Sequence, residues 1–333
     1  MIETRAFLLA AGRGVRFRPV TERLPKPLAP FLNVPLARAH LRRLLEAGIS
    51  HAAVNLHHLG DEIVKDLVDH SPELPKLRFF PEPEILGTAG GLRNAAPFLS
   101  GADFLVVNSD AAIEPDYGAL LRSHSESGRA ATLLVVENRE PDRYTPLQSE
   151  GDRITGFGRA AARAAAPPPL LYTGVCVLAP RLLARIPPGE TSLVADLWEP
   201  LLEEGREEIG WMRHEGPFAD LGSPRDFLRA TLEALARGGP FPPGAGVFDG
   251  ATRVLALRPG DGFAATDSVL GASPVGSGAR IESCAVWTGC DVAAGVSLTR
   301  CLAASGRVAP GTTAADALLW GRPGEDAALF PLH

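Results

Sequence analysis

A short apolar run at residues 7–9 leads into the stretch AAGRGVRFRPVTERLPKPLAP, where Gly12 and Gly14 are followed by Arg16 and then by Lys26 between two prolines. Glycines let backbone N–H groups come close to an anion. Arg16 and Lys26 add positive charge to the same connection, so the stretch reads as a phosphate site. Two common phosphate cradles are excluded. A Walker loop needs G-x-x-x-x-G-K-[ST], which does not occur around Gly12, and the dinucleotide fingerprint needs glycine at 17, where Phe17 stands, plus an acidic residue after the next strand, where VNLHH has none. Of the 33 basic residues only Lys26, Lys65 and Lys76 are lysine. A chain that favours arginine this strongly has kept a compact, three-donor point charge between two prolines, a role a planar fork fills differently. Asp110, closing the apolar run FLVVNSD, is the acidic counterpart.

The elements that must position these residues follow from the patterning. From 5 to 110, apolar runs (RAFLLA, AAVNL, LRFF, DFLVVNSD) alternate with helical patterns at 35–48, 59–69 and 89–99. This is the mark of βαβ units and a parallel sheet. FLVV is apolar on consecutive residues, as a strand covered on both faces should be. Ligands in such sheets bind beyond the carboxyl ends of the strands, so the glycine loop and Asp110 are expected to share one crevice. Residues 130–236 read as mixed, with strands at 131–136, 170–178 and 208–214 and helices at 193–204 and 224–236. RGGPFPPGAG, residues 237–246, reads as a Pro/Gly linker between domains at 1–236 and 247–333.

Beyond the linker, Cys284, Cys290, Val296, Leu302 and Val308 recur every six residues, and Val286, Val292 and Leu298 do so two positions later. Upstream, Val269, Val275 and Ile281 form another six-residue series. The step from Ile281 to Val286 is five, and positions i and i+2 share a strand face, so the Cys284 and Val286 columns are expected to point inward, in a parallel β-helix of about four coils. With no cluster of titratable groups, this region is expected to pack and associate rather than catalyse, its open ends and apolar flank covered either by self-association into a homo-oligomer or by docking on the N-terminal domain.

Composition narrows the classes. At 45% hydrophobic and 22% charged residues the chain can bury a core, and a net charge of −6 argues against a nucleic-acid binder. The N-terminal apolar run is too short for a signal-peptide core or a membrane span, so a cytoplasmic location is expected. Cys176, Cys284, Cys290 and Cys301 lack a C-x-x-C pair and read as small core residues. His57 and His58 read as a surface loop.

The stretch LLAAGRGVRFRPVTERLPKPLAP resembles the signature of the sugar-phosphate nucleotidyltransferases. ILGTAGGL at 85–92, FLVVNSDAAIE at 104–114 and FADLGSPRDF at 218–227 follow in that family's order, mannose-1-phosphate guanylyltransferases being most similar. The resemblance spans about residues 5–236 and implies a Rossmann-like nucleotidyltransferase domain with a mixed, mostly parallel sheet. The repeats resemble the hexapeptide left-handed β-helix often appended to it. The implied reaction condenses a nucleoside triphosphate, GTP before UTP, with a sugar 1-phosphate to give a nucleotide sugar and pyrophosphate. Backbone groups of Leu9, Ala10, Ala11, Gly12 and Gly14 would hold the nucleotide, with Gly87 and Thr88 lining the base, Thr88 also able to cap its helix, and Glu82 a candidate for reading it. Arg16 would hold the leaving phosphates and Lys26 would bridge the reacting ones, while Asp110 and Asp220 would hold Mg²⁺.

The sugar side departs from the family pattern. Where E-K-P is common this chain has Arg159, Ala160 and Ala161, so Arg163 is the nearby cation for the sugar phosphate, beside Gly156 and Thr173. Thr145 replaces a usual glycine. Two other readings stay open: a catalytically silent regulatory subunit, suggested by the lost lysine, and a hexapeptide-repeat acyltransferase, disfavoured because the repeats contain no histidine before His333.

Overall fold

A computed structural model describes residues 4–158, 169–205, 208–258 and 260–332. Contacts divide the chain into two compact units that interleave in sequence: Met1–Arg13 with His40–Phe218, and Gly14–Ala39 with Ala219–His333. The second unit therefore takes in most of the glycine- and lysine-bearing loop as well as the repeats.

The first unit is built on a nine-stranded sheet. Its order is Lys76–Pro81, His51–Leu56, Arg5–Leu9, Phe104–Asn108, Leu170–Leu178, Ala131–Glu137, Ile209–Arg213, Arg153–Phe157 and Leu147–Glu150. The first four strands are mutually parallel. Leu170–Leu178 then runs antiparallel to both of its neighbours, and the far edge is antiparallel as well. The sheet is thus mixed, but parallel pairing dominates only in its N-terminal half. Phe104, Leu105, Val106 and Val107 are all fully buried, as their unbroken apolar run requires of a strand covered on both faces. The core gathers Phe7, Val106, Leu133, Cys176, Ile209 and Trp198.

In the second unit, parallel strands are stacked. Leu255 pairs with Val269, Val269 with Ala285, Ala285 with Leu302 and Leu302 with Leu318. A second stack pairs Ile281 with Leu298 and Leu298 with Ala314, and a third pairs Cys290–Val292 with Gly306–Val308. Each full coil between Val269 and Leu318 thus takes 16 or 17 residues, slightly less than three hexapeptides. Antiparallel strands, Val247–Asp249 and Ala328–Pro331, close the two ends of the first stack, where open ends are expected from the repeats alone. Arg253, Asp267, Ser283, Arg300 and Asp316 occupy left-handed backbone at one corner, where Arg253 pairs with Asp267 and Arg300 with Asp316.

The shortened coil turns members of two six-residue series away from the interior. Cys284, Val286, Cys290, Val292, Val296, Leu298 and Val308 do lie in the interior, but Cys301 and Ala303 take the places next in line, so Leu302 between them faces the other way. Val269 also faces outward, into a separate cluster with Leu255, Leu32, Val34 and Leu235. All four cysteines are buried free thiols. No helix among the described residues is long and apolar enough to cross a membrane.

Candidate functional site

In the first unit, strand Arg5–Leu9 delivers the backbone of residues 9–12 to the carboxyl edge of the sheet, where polar side chains of the adjoining strands fix it. The Leu9 carbonyl accepts from the Ser109 amide at 3.2 Å and the Ser109 hydroxyl at 2.6 Å. The Ala10 N–H donates to Asn55 Oδ1 at 2.7 Å, and Asn55 Nδ2 donates to Glu82 Oε1 at 2.8 Å. Glu82 Oε2 accepts from the Leu86 N–H at 2.9 Å. These buried groups form one connected chain of hydrogen bonds, which is the condition for burying them without large cost. Glu82 is only 3% exposed and both of its oxygens are engaged. It is a strut that holds residues 82–86 to the glycine loop. Sequence reasoning missed Asn55 and Ser109, although the signal was there: a polar residue ending an apolar strand in both HAAVNL and FLVVNS.

Gly87 and Thr88 open the helix Gly87–Asn94. Gly87 has φ +71°, and a Cβ there would lie 2.4 Å from the Thr191 carbonyl oxygen. That carbonyl accepts from the Ala89 N–H, and the Thr191 N–H donates to the Leu86 carbonyl, both at 2.9 Å. Thr88 does not cap its helix; its Oγ1 accepts from the Leu193 N–H at 2.9 Å. Residues 191–193 thus lock the first turn in place, a contact with no sequence signal. Gly12 differs, since a Cβ there would meet nothing within 4 Å.

Asp110 sits in the turn between Phe104–Asn108 and Ala111–Ile113. Behind it, the buried His40 ring donates from Nε2 to the Ala111 carbonyl at 3.0 Å, while Nδ1 has no hydrogen-bond partner among the described residues. Burial pushes the His40 pKa down from 6.5 to about 4; the hydrogen bond to Ala111 opposes this, nearby Arg43 reinforces it and Asp110 opposes it.

On the sugar side, Gly156 lies where the register of Arg153–Phe157 shifts against its antiparallel partner. Thr173 is buried, and its hydroxyl donates to the Leu134 carbonyl at 2.8 Å, within the sheet. Its neighbour Gly174, at φ +86°, leaves room for Asn108, whose Nδ2 would lie 2.6 Å from an added Cβ. Arg163 lies outside the described residues, as do Arg159, Ala160 and Ala161.

The second unit holds Gly14, Arg16, Lys26 and Asp220. Gly14 takes left-handed backbone, and its carbonyl accepts from Phe17 N–H and the Thr21 hydroxyl, both at 2.9 Å. A Cβ on Gly14 would lie 2.8 Å from Thr21 Cγ2 and 3.3 Å from Lys26 Cβ. Lys26 starts a short 3-10 turn and is only 6% exposed, so it is not a solvated surface cation. Arg16 reaches Asp220 at 3.6 Å; the arginine side chain is 60% exposed and the aspartate 17%. An exposed pair of this kind contributes about 0–1 kcal/mol to folding, so stability alone does not account for it. Among the described residues no group of three or more His, Cys, Asp or Glu could hold a metal ion by itself.

Residues 5–237 match the family described as nucleotidyl transferase, and the chain belongs to that family. It is 30% identical over 229 residues to the mannose-1-phosphate guanylyltransferase catalytic subunit beta of Danio rerio, covering 67% of this chain and 62% of that protein, so it spans less than two thirds of that relative's length. It is 32% identical over 227 residues to the N-acetylmuramate alpha-1-phosphate uridylyltransferase of Neisseria meningitidis, covering 66% and 93%. To the mannose-1-phosphate guanylyltransferase of Mycobacterium tuberculosis it is 27% identical over 303 residues, covering 89% and 83%. Among solved structures, HddC from Yersinia pseudotuberculosis shares the fold, with a TM-score of 0.59 and 22% identity over 69% of this chain and 99% of that one.

Two glycines separate shape from ligand. Gly87→Ala should lower the unfolding free energy by about 2 kcal/mol or more, since it puts a Cβ into left-handed backbone and against a carbonyl. Gly12→Ala should leave it within about 0.5 kcal/mol. Urea titration followed by circular dichroism checks both. For His40 the unfolded chain binds a proton that the folded chain excludes between pH 6.5 and about 4, so stability falls as pH drops through that window, by at most about 3 kcal/mol. His40→Gln, which keeps a donor toward Ala111, should show that much less loss over the same range.

Proposed function

We propose that the protein is a magnesium-dependent sugar-1-phosphate nucleotidyltransferase, with GTP the first candidate for its triphosphate and UTP the second. The observation that carries the reading is Lys26: a buried lysine, in a chain with only three, on the loop where the family match lies. The names of the relatives support both bases, guanylyltransferases in two cases and a uridylyltransferase in a third. Parallel coils of 16 or 17 residues support a hexapeptide-type β-helix, which we infer to be left-handed.

In this reading a phosphate oxygen of the sugar 1-phosphate attacks the α-phosphorus, a new P–O bond forms, and the bond to the β-phosphate oxygen breaks to release pyrophosphate. Such transfers depend on positioning and on neutralising charge. Backbone N–H groups near Gly12 approach the triphosphate, for which the open space over its Cα leaves room. Lys26 bridges the attacking and α phosphates, and Arg16 holds the leaving pyrophosphate, exchanging the Asp220 carboxylate for phosphate oxygens. Asp110 and Asp220 would hold Mg²⁺, for which carboxylates are suitably hard ligands. When bound, the ion neutralises charge on the phosphates.

Pyrophosphate release over a panel of five triphosphates and several sugar 1-phosphates tests the reading, and no release with any pair would favour the silent regulatory subunit. Lys26→Arg should cost about 2 kcal/mol of transition-state stabilisation, roughly thirtyfold in kcat/KM, because the larger planar fork does not replace a buried point charge. Turnover at the wild-type rate would reduce Lys26 to a structural cation. Asp110→Asn should fold normally and lose most activity at limiting Mg²⁺; activity within twofold of wild type would remove Asp110 from the metal site.

A further inference from the structure

Phe17 lies between the two loop arginines Arg16 and Arg18, yet it is fully buried. Its ring stacks on Trp287 of the parallel coils at 6.3 Å and 6° between planes, and meets Phe227 edge-on at 5.6 Å. Phe227 in turn packs edge-on against Trp287 at 5.2 Å and against Phe31 at 5.7 Å. Phe227 belongs to the helix Pro224–Arg237, which is capped by Ser223 and follows Asp220 by a few residues. One aromatic cluster therefore anchors both the Arg16 and the Asp220 segments. The loop's far end is pinned as well. Asn33, at the left-handed tip of the hairpin between Pro30–Phe31 and Val34–Pro35, donates from Nδ2 to the carbonyls of Ala245 at 3.0 Å and Leu270 at 3.1 Å. Leu32 and Val34 pack on the outward-facing Leu255 and Val269. Lys26 lies between these two anchors.

We propose that the C-terminal coils are a positioning element for the phosphate loop, with Trp287 as its principal positioning residue, so that they are part of the machinery that sets turnover and not only a device for association. The inference rests on the functional reading above for what the loop does, but on this packing alone for how the loop is held. It replaces the expected division of labour, in which the repeats only pack and associate. A buried aromatic contact is short-ranged and geometric. Shrinking Trp287 leaves a void beside Phe17, and a displacement of about 1 Å at Arg16 or Lys26 is enough to lower a positioning-dependent rate by up to a hundredfold.

The test compares full-length Trp287→Ala with Val296→Ala, a truncation in the coil interior away from the loop, and with Trp287→Phe as the conservative rescue. Two readouts are taken well below each melting temperature. In tryptic digestion, cleavage after the exposed Arg13, Arg16 and Arg23, none of which precedes a proline, is followed by mass spectrometry. Trp287→Ala should raise the rate at these sites at least fivefold, and neither Val296→Ala nor Trp287→Phe should raise it more than twofold. In pyrophosphate release, Trp287→Ala should lower kcat at least tenfold at saturating triphosphate, with Trp287→Phe within threefold of wild type. Unchanged cleavage in Trp287→Ala overturns the anchoring, whatever the protein's activity. Raised cleavage with unchanged kcat overturns the link to turnover. A wild type silent toward every substrate would refute the functional reading and with it the link to turnover, and the digestion would still decide how the loop is held.

Discussion

The buried ring of Phe17 is the constraint on which the charged loop depends. A connection carrying Arg13, Arg16, Arg18, Arg23 and Lys26 cannot bury itself by charge, so its shape comes from a few apolar anchors: Phe17 against Trp287 and Phe227 at one end, Leu32 and Val34 against Leu255 and Val269 at the other. Between them the chain uses 3-10 turns closed by its own backbone, with Gly14 in left-handed backbone making the first reversal. The anchors are bulky and rigid, the cations between them mostly exposed, and Lys26 is the exception.

A different physical device operates at the start of the same loop. There the backbone of Leu9 and Ala10 is fixed by hydrogen bonds from Ser109 and to Asn55, and Asn55 is held by Glu82. Buried polar networks specify geometry because leaving any member unpaired is costly. Replacing Asn55 by leucine would strand both the Ala10 amide and the Glu82 carboxylate. The two devices divide the signature stretch: polar struts up to residue 13, aromatic and aliphatic packing from 14 onward.

Much of this was legible in the sequence, for reasons that can be named. Alternating apolar runs and helical patterns gave the N-terminal strands because burial on both faces leaves an unbroken apolar record, as in FLVV. The six-residue columns were legible because each coil returns to the same face. What escaped were features set by tertiary context. Leu302 and Val269 obey the six-residue rule yet face outward, because the coil between Val269 and Leu318 closes in 16 or 17 residues and the columns slip at a corner. The mostly parallel sheet failed at Leu170–Leu178, whose apolar content does not encode direction. The structural contacts of Glu82 and Thr88, whose oxygens accept from the amides of Leu86 and Leu193, also had no sequence signal, since the resemblance speaks only of ligands.

Residues 14–39 belonging with the C-terminal coils is the central claim, and hydrogen exchange of the full-length chain in increasing urea tests it most directly. If the claim holds, amides of Phe17, Leu24, Leu28 and Ala29 lose protection in the same urea step as Val269, Ala285 and Trp287, separately from Ala6, Leu8 and Val106. Loss of protection at 17–29 together with the strands of the nine-stranded sheet, while the coils stay protected, would contradict it.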